Sequence, residues 1–180
     1  LGGALDPAQH YLGWALYRNG PLTFPIGLNP HNGLEFSNSI VFSDSLPLLA
    51  IFFKPLNFLL PEVFQYFGLW TLCCFVLQAW FSWKLLGLLS DSLWIRIFGS
   101  SLFVFSPTML LRVGLWTSLA SHFLVLAALY LVLRSNHLKR AFYWILLVGI
   151  ASLVHFYLLA MVLALWLGSL MDELFLQKKL

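Results

Sequence analysis

The sequence predicts an all-α fold, a polytopic bundle of transmembrane helices, and three observations do so. The chain of 180 residues is 61% hydrophobic and only 9% charged, where a soluble domain carries about 25% charged residues. Its mean hydropathy is +0.86. Val63–Trp83, Ile97–Leu111, Val113–Leu133 and Ala141–Met171 contain no Asp, Glu, Lys or Arg, and a hydrocarbon core takes roughly 20 apolar residues to cross. The alternating ten-residue segments of a membrane β-barrel do not occur in the sequence.

The first sixty residues hold most of the polar complexity and six of the eight prolines. Asp6-Pro7-Ala8-Gln9 reads as a helix start, with Asp at the N-cap, Pro at the first helical position and Gln able to bond back. Ala8, Tyr11, Leu12, Ala15 and Leu16 then form an apolar stripe, with His10, Trp14, Tyr17 and Arg18 opposite. A helix of this kind suits the headgroup region of a bilayer. Asn19-Gly20-Pro21 ends it, and turn signals follow at Pro25, Asn29-Pro30 and Asn32-Gly33. A second short helix is expected over residues 46–60, interrupted at Lys54-Pro55, as an interfacial or re-entrant element rather than a span.

Residues 1–62 are thus expected to be a first outer loop carrying juxtamembrane helices. About five spans follow, at 63–89, 93–111, 118–133, 141–154 and 156–172. Taken as one helix, 141–171 would run about 46 Å, well beyond a core of roughly 30 Å, so a hairpin turning near Val154-His155-Phe156 is preferred. Lys84 and Arg96 flank one short loop, and Arg134, Lys139 and Arg140 another, which makes both cytoplasmic. Residues 1–62 and the Arg112–Thr117 loop then face the periplasm of a bacterial inner membrane.

The net charge of +3 does not imply a nucleic-acid partner, because the basic residues are scattered and sit at expected membrane boundaries. The residues from Leu1 onward do not read as a signal peptide, since no basic stretch precedes a short apolar core. The expectation is a fragment that begins after an earlier span, its partners being the lipid bilayer and the remaining transmembrane helices of the full-length chain. Cys73 and Cys74 are sequence neighbours pointing about 100° apart on a helix, a poor start for a metal site or disulfide.

This topology gathers polar residues at one membrane face. Asp6, His10, His31, Glu35 and Asp44 lie in the first loop. Arg112 opens the second outer loop, His122 lies about one turn into the next span, and His155 marks the hairpin tip. Each has a plainer reading. Asp6 and Asp44 suit helix caps, Arg112 can snorkel, and a histidine in an apolar helix is commonly a packing residue. Together they suit chemistry on a phosphorylated lipid. A carboxylate, Asp6 or Asp44, would deprotonate or orient an acceptor hydroxyl. Arginine would hold the phosphate through paired donors, with His10, His122 and His155 as further binding candidates. The glycine-rich phosphate loop and the HExxH, GxSxG and CxxC patterns do not occur.

The run DPAQHYLGWALYRNGPLTFPIGLNPHNGLEFSNSIVFSDSLPLLAIFFKPL, then FQYFGLWTLCCFVLQAWFSWKLLG and LVHFYLLAMVLALWL, resembles an uncharacterised bacterial family of polytopic membrane proteins grouped with GT-C-type glycosyltransferases. The resemblance implies a sugar transferred from a polyprenyl-phosphate-linked donor on the outer face, to an envelope glycan, lipid or protein. It matches Asp6 to the first loop acid and Asp44 to a second, makes Arg112 and His155 candidates for the donor phosphate, and leaves a divalent metal open as cofactor. Where the family pattern often carries a Gly-His pair after this arginine, Gly114-Leu115-Trp116 stands here. The rival class is a transporter, flippase-like or structural component of envelope glycan assembly. A transporter is expected to carry polar groups in broken helices at mid-membrane, whereas here the span centres are apolar except for Gln78 and Ser100-Ser101.

Overall fold

The computed structural model describes residues 5–33, 38–134 and 140–177. Within them the chain is mostly helical, with turns and extended backbone over residues 20–33, 60–66 and 116–122. The eight α-helices are α1 (Leu5–Asn19), α2 (Pro47–Phe53), α3 (Phe67–Leu89), α4 (Leu93–Val104), α5 (Pro107–Leu115), α6 (Phe123–Leu133), α7 (Arg140–Val154) and α8 (Phe156–Gln177). Three stretches are long and apolar enough to cross a membrane: Phe67–Leu89, Leu93–Leu115 and Phe156–Phe175. Among the described residues, strand is confined to β1 (Leu28–Asn29) and β2 (Asn38–Ser39), paired antiparallel with Leu28 opposite Ser39.

The bundle is built around α6, which packs against α3, α7 and α8, while α4 packs along the outside of α3. Cys74, Leu124, Ala128, Ala151, Leu158 and Val162 form its buried centre. Helices α7 and α8 lie antiparallel and meet at His155. Arg140, at the start of α7, pairs with Glu173 and Ser169 near the far end of α8. Outward-facing residues such as Leu72, Val76, Leu102, Ile145 and Leu167 remain exposed, as befits helices whose outer faces fit against lipid.

Several boundaries differ from those read in the sequence. The first long helix begins at Phe67, not at residue 63, because Pro61–Tyr66 runs in open turns over the N-terminal segment. The stretch read as 93–111 is two helices continuing to Leu115. Ser106 accepts the Met109 N–H at 3.3 Å and Pro107 starts α5, a cap-and-proline signal that restarts the chain. Arg112 therefore sits in the last turn of α5 rather than opening a loop. Helix α6 starts at Phe123, so His122 precedes it instead of lying a turn inside, and Thr117–Ala120 form turns. At 11 residues, α6 is about 16 Å long, short of a bilayer core.

The faces of α1 are the reverse of an aliphatic-inward arrangement. His10, Trp14, Tyr17 and Arg18 are buried, while Ala8, Tyr11 and Leu12 are exposed. Hydrogen bonding explains this. The Trp14 indole donates to Phe64 O at 3.0 Å, the Tyr17 hydroxyl donates to Ile26 O, and Arg18 donates to Asn57 Oδ1, Glu62 O and Pro61 O. Polar tips need partners in the segment beneath, whereas aliphatic side chains at a bilayer edge have lipid to enter.

Candidate functional site

The stretch from Ser39 to Leu46 wraps the flank of α1 at close quarters. A Cβ at Gly13 would fall 2.3 Å from Ser43 Oγ and 2.4 Å from Ser45 Oγ, so only glycine admits the crossing. Ser45 donates to His10 O at 2.7 Å and meets the Ser43 hydroxyl at 2.8 Å, and the buried Tyr66 hydroxyl donates to Ser45 O. The serines thus face inward. Asp44 between them takes a left-handed conformation with φ of 51° and ends the short 3-10 turn Ile40–Ser43. It does not cap the next helix, as the sequence allowed: α2 starts at Pro47 behind Leu46, with no side-chain cap.

The Asp44 carboxylate emerges 43% exposed, with Oδ1 3.5 Å from His155 Nε2, and the His155 side chain is 10% exposed. The other ring nitrogen, Nδ1, accepts the Tyr157 N–H at 3.1 Å. An accepting Nδ1 carries no proton, so neutral His155 bears its hydrogen on Nε2, facing the carboxylate. Burial pushes the His155 pKa below its ordinary value of 6.5; Asp44 opposes that shift, and the charges of Arg112 and His10 reinforce it. His10 is likewise held below its usual range by burial, with Asp44 and Asp6 pulling the other way.

Two further contacts complete the cluster. Arg112 Nη1 lies 2.6 Å from His122 Nε2, joining the last turn of α5 to the residue before α6. The Trp116 indole donates to Asp6 Oδ2 at 2.8 Å, across 110 residues of sequence. Asp6 lies in the first turn of α1, which is described from Leu5, so its carboxylate binds a side chain rather than holding the N-cap position. Trp116 is the residue the sequence reading passed over. Its only signal was an indole N–H placed where a Gly-His pair was looked for.

Asp6, His10, Asp44, Arg112, His122 and His155 therefore come together at one end of the bundle, where α1, the Asp44 turn, α5, the start of α6 and the α7–α8 junction meet. His31 is not part of this group; it is exposed beside Gly20. Glu35 lies outside the described residues. Among the described residues, no three His, Cys, Asp or Glu side chains converge to hold a metal ion. The chemistry available is that of two carboxylates, an arginine and three imidazoles.

Comparison with known proteins gives one match. The family model described as a domain of unknown function (DUF6311) matches residues 1–180, and the chain belongs to that family. No curated protein and no solved structure matches it.

Proposed function

We propose that this DUF6311 domain is the outer-face part of a GT-C-like integral membrane glycosyltransferase, taking a sugar from a polyprenyl-phosphate-linked donor. The observation that carries this reading is the Asp44–His155 pair beside Arg112. A half-exposed carboxylate, oriented by a neutral imidazole of fixed tautomer, stands near a guanidinium at one end of an apolar bundle.

The contacts support the following roles. Asp44 is the general base, because its carboxylate is reachable and His155 holds it in place. Arg112 grips the donor phosphate, as a guanidinium binds phosphate oxygens through paired donors. Asp6, with one oxygen taken by Trp116, orients the acceptor hydroxyl through the other. The acceptor oxygen attacks the sugar's anomeric carbon and passes its proton to Asp44. The bond from that carbon to the phosphate oxygen breaks, and polyprenyl phosphate leaves. His10 is close enough to both acids to feel their charge, and His122 braces Arg112.

The test uses the full-length protein in cells lacking the native copy. Asp44→Asn suits a left-handed backbone, which Asn adopts several-fold more readily than most residues, so the fold is kept while the base is removed. Transfer is expected to fall about 10²–10⁴-fold, read as loss of the product glycan and accumulation of lipid-linked sugar. Asp6→Asn, which keeps an acceptor for Trp116, is expected to fall less. Normal glycans in both variants at normal protein levels overturn the reading and favour the transporter or structural class.

A further inference from the structure

Along α6, a cleft of about 730 Å³ opens between α3, α6 and α7, with its basic residues at the end away from the Asp44 cluster. It runs from Phe123, at the start of α6, to Arg134, just past its end, a rise of about 16 Å along the helix. Leu77, Phe81, Leu124, Leu131, Leu147 and Ile150 line its depth, and its volume is that of a small-molecule pocket. Lys84, Arg134 and Arg140 stand at the mouth.

These three cations are not equivalent. Arg140 is already paired with Glu173 and Ser169. Lys84 and Arg134 instead converge on one aromatic ring: the Lys84 ammonium is 5.9 Å and the Arg134 guanidinium 5.7 Å from the centre of Tyr130. Arg134 also donates to the Tyr130 hydroxyl at 3.1 Å, and Lys84 lies 4.9 Å from the Trp80 ring. Neither cation forms an ion pair among the described residues. Two like charges drawn to one phenol, at the mouth of an apolar channel, match a ligand with an anionic head and a long apolar tail.

We infer that this cleft holds one anionic membrane lipid, its headgroup phosphate between Lys84 and Arg134 and an acyl chain along α6. The cations lie at the membrane boundary that their own distribution marks as cytoplasmic, where anionic lipids are concentrated and basic residues attract them. A transmembrane helix seated in the same cleft would cover Lys84 and Arg134 and would need an acid of its own at that height. The headgroup end, at Lys84 and Arg134, is separate from the Asp44 cluster, and the inference does not rest on the proposed transferase.

The experiment purifies the full-length protein from vesicles of equal phosphatidylglycerol and phosphatidylcholine and quantifies retained lipid by native mass spectrometry. The native protein is expected to retain phosphatidylglycerol over phosphatidylcholine. Lys84→Gln with Arg134→Gln is expected to weaken that preference roughly thirty-fold, a little over fivefold per cation. Ala127→Phe, which fills the buried floor without touching charge, is expected to lower retention of both lipids. Thermal unfolding in detergent checks that each variant is folded. Equal retention of the two lipids by the native protein overturns the headgroup assignment. Absence of retained lipid assigns the cleft to another helix and overturns the proposal, and so does displacement of the lipid by glycerol phosphate, which assigns the cations to a free anion.

Discussion

The N-terminal segment, residues 5–66, and the helical bundle, residues 67–177, are held by different physics. In the segment, side chains serve backbone carbonyls far away in sequence. Asn29 donates to Gly13 O at 3.1 Å, Lys54 to Pro21 O at 2.9 Å, and Arg18 to Pro61 O and Glu62 O. In the bundle, some polar side chains turn back on their own helix, as Ser82 does to Gln78 O and Ser101 to Ile97 O, and those that cross between elements mostly meet another side chain, as Trp70 meets Ser121 and Arg140 meets Glu173. A segment made of short turns leaves backbone groups that something must satisfy, whereas a helix satisfies its own and can face lipid. The segment is therefore specified by individual polar contacts, the bundle by distributed apolar packing. The candidate site lies where the two meet.

Breaking the segment while sparing the bundle tests this division. The largest effect is expected from Gly13→Ala, because its Cβ would overlap both Ser43 and Ser45. Overpacking of this kind costs about 1–3 kcal/mol, and here the neighbouring stretch carries Asp44. Expected are proteolytic opening of residues 20–60, with helical content of the bundle retained by circular dichroism, and loss of whatever activity depends on Asp44. A comparable loss of stability, without displacement of the Asp44 stretch, is expected from Arg18→Met, which keeps the apolar stem but strips donors from Asn57 Oδ1 and two carbonyls. Hydrogen bonds to charged groups are worth about 1.5–3 kcal/mol, so a drop in unfolding midpoint of that order is the outcome to measure. By contrast, Leu102→Ala on the exposed face of α4 is expected to leave the midpoint nearly unchanged. A large drop there would erase the distinction between the regions.

Membership of the helical membrane class was readable from charge-free runs alone, since nothing else accounts for so few charges in so long a stretch. Helix ends marked by Asn19-Gly20 and Lys54-Pro55 were readable for local reasons, namely turn chemistry and a missing donor. Ser106-Pro107 carried an equally good local signal, but the apolar run across it hid the break. The orientation of α1 was not readable. Periodicity shows that two faces differ, but beside a bilayer either face has an apolar phase to enter. Asp44 and Asp6 were singled out because carboxylates are scarce, yet the partners that give them shape, His155 and Trp116, come from more than 100 residues away. Cap readings fit the local sequence equally well and could only be excluded by backbone geometry.

The finest comparison between the regions is by pH, because each contributes histidines to the site from outside the membrane-spanning stretches, His10 from the segment and His122 and His155 from the bundle. His10 belongs to α1 and His155 to the α7–α8 junction, and burial holds both below the ordinary 6.5. When such a chain unfolds, both imidazoles recover their usual basicity. As pH falls through about 6.5, the unfolded state takes up protons that the folded state still refuses, so stability declines. The decline continues until the pH passes below the folded values, where it levels off. The unfolding midpoint in detergent is therefore expected to drop between pH 7.5 and 5.5. In His155→Gln the bundle's part of that slope shrinks to what His122 contributes, and the part owed to His10 remains. His10→Gln does the converse, with acid-induced proteolysis of the N-terminal segment relieved. An unchanged slope in both single variants would place the acid sensitivity elsewhere and remove the two imidazoles as the electrostatic link between segment and bundle.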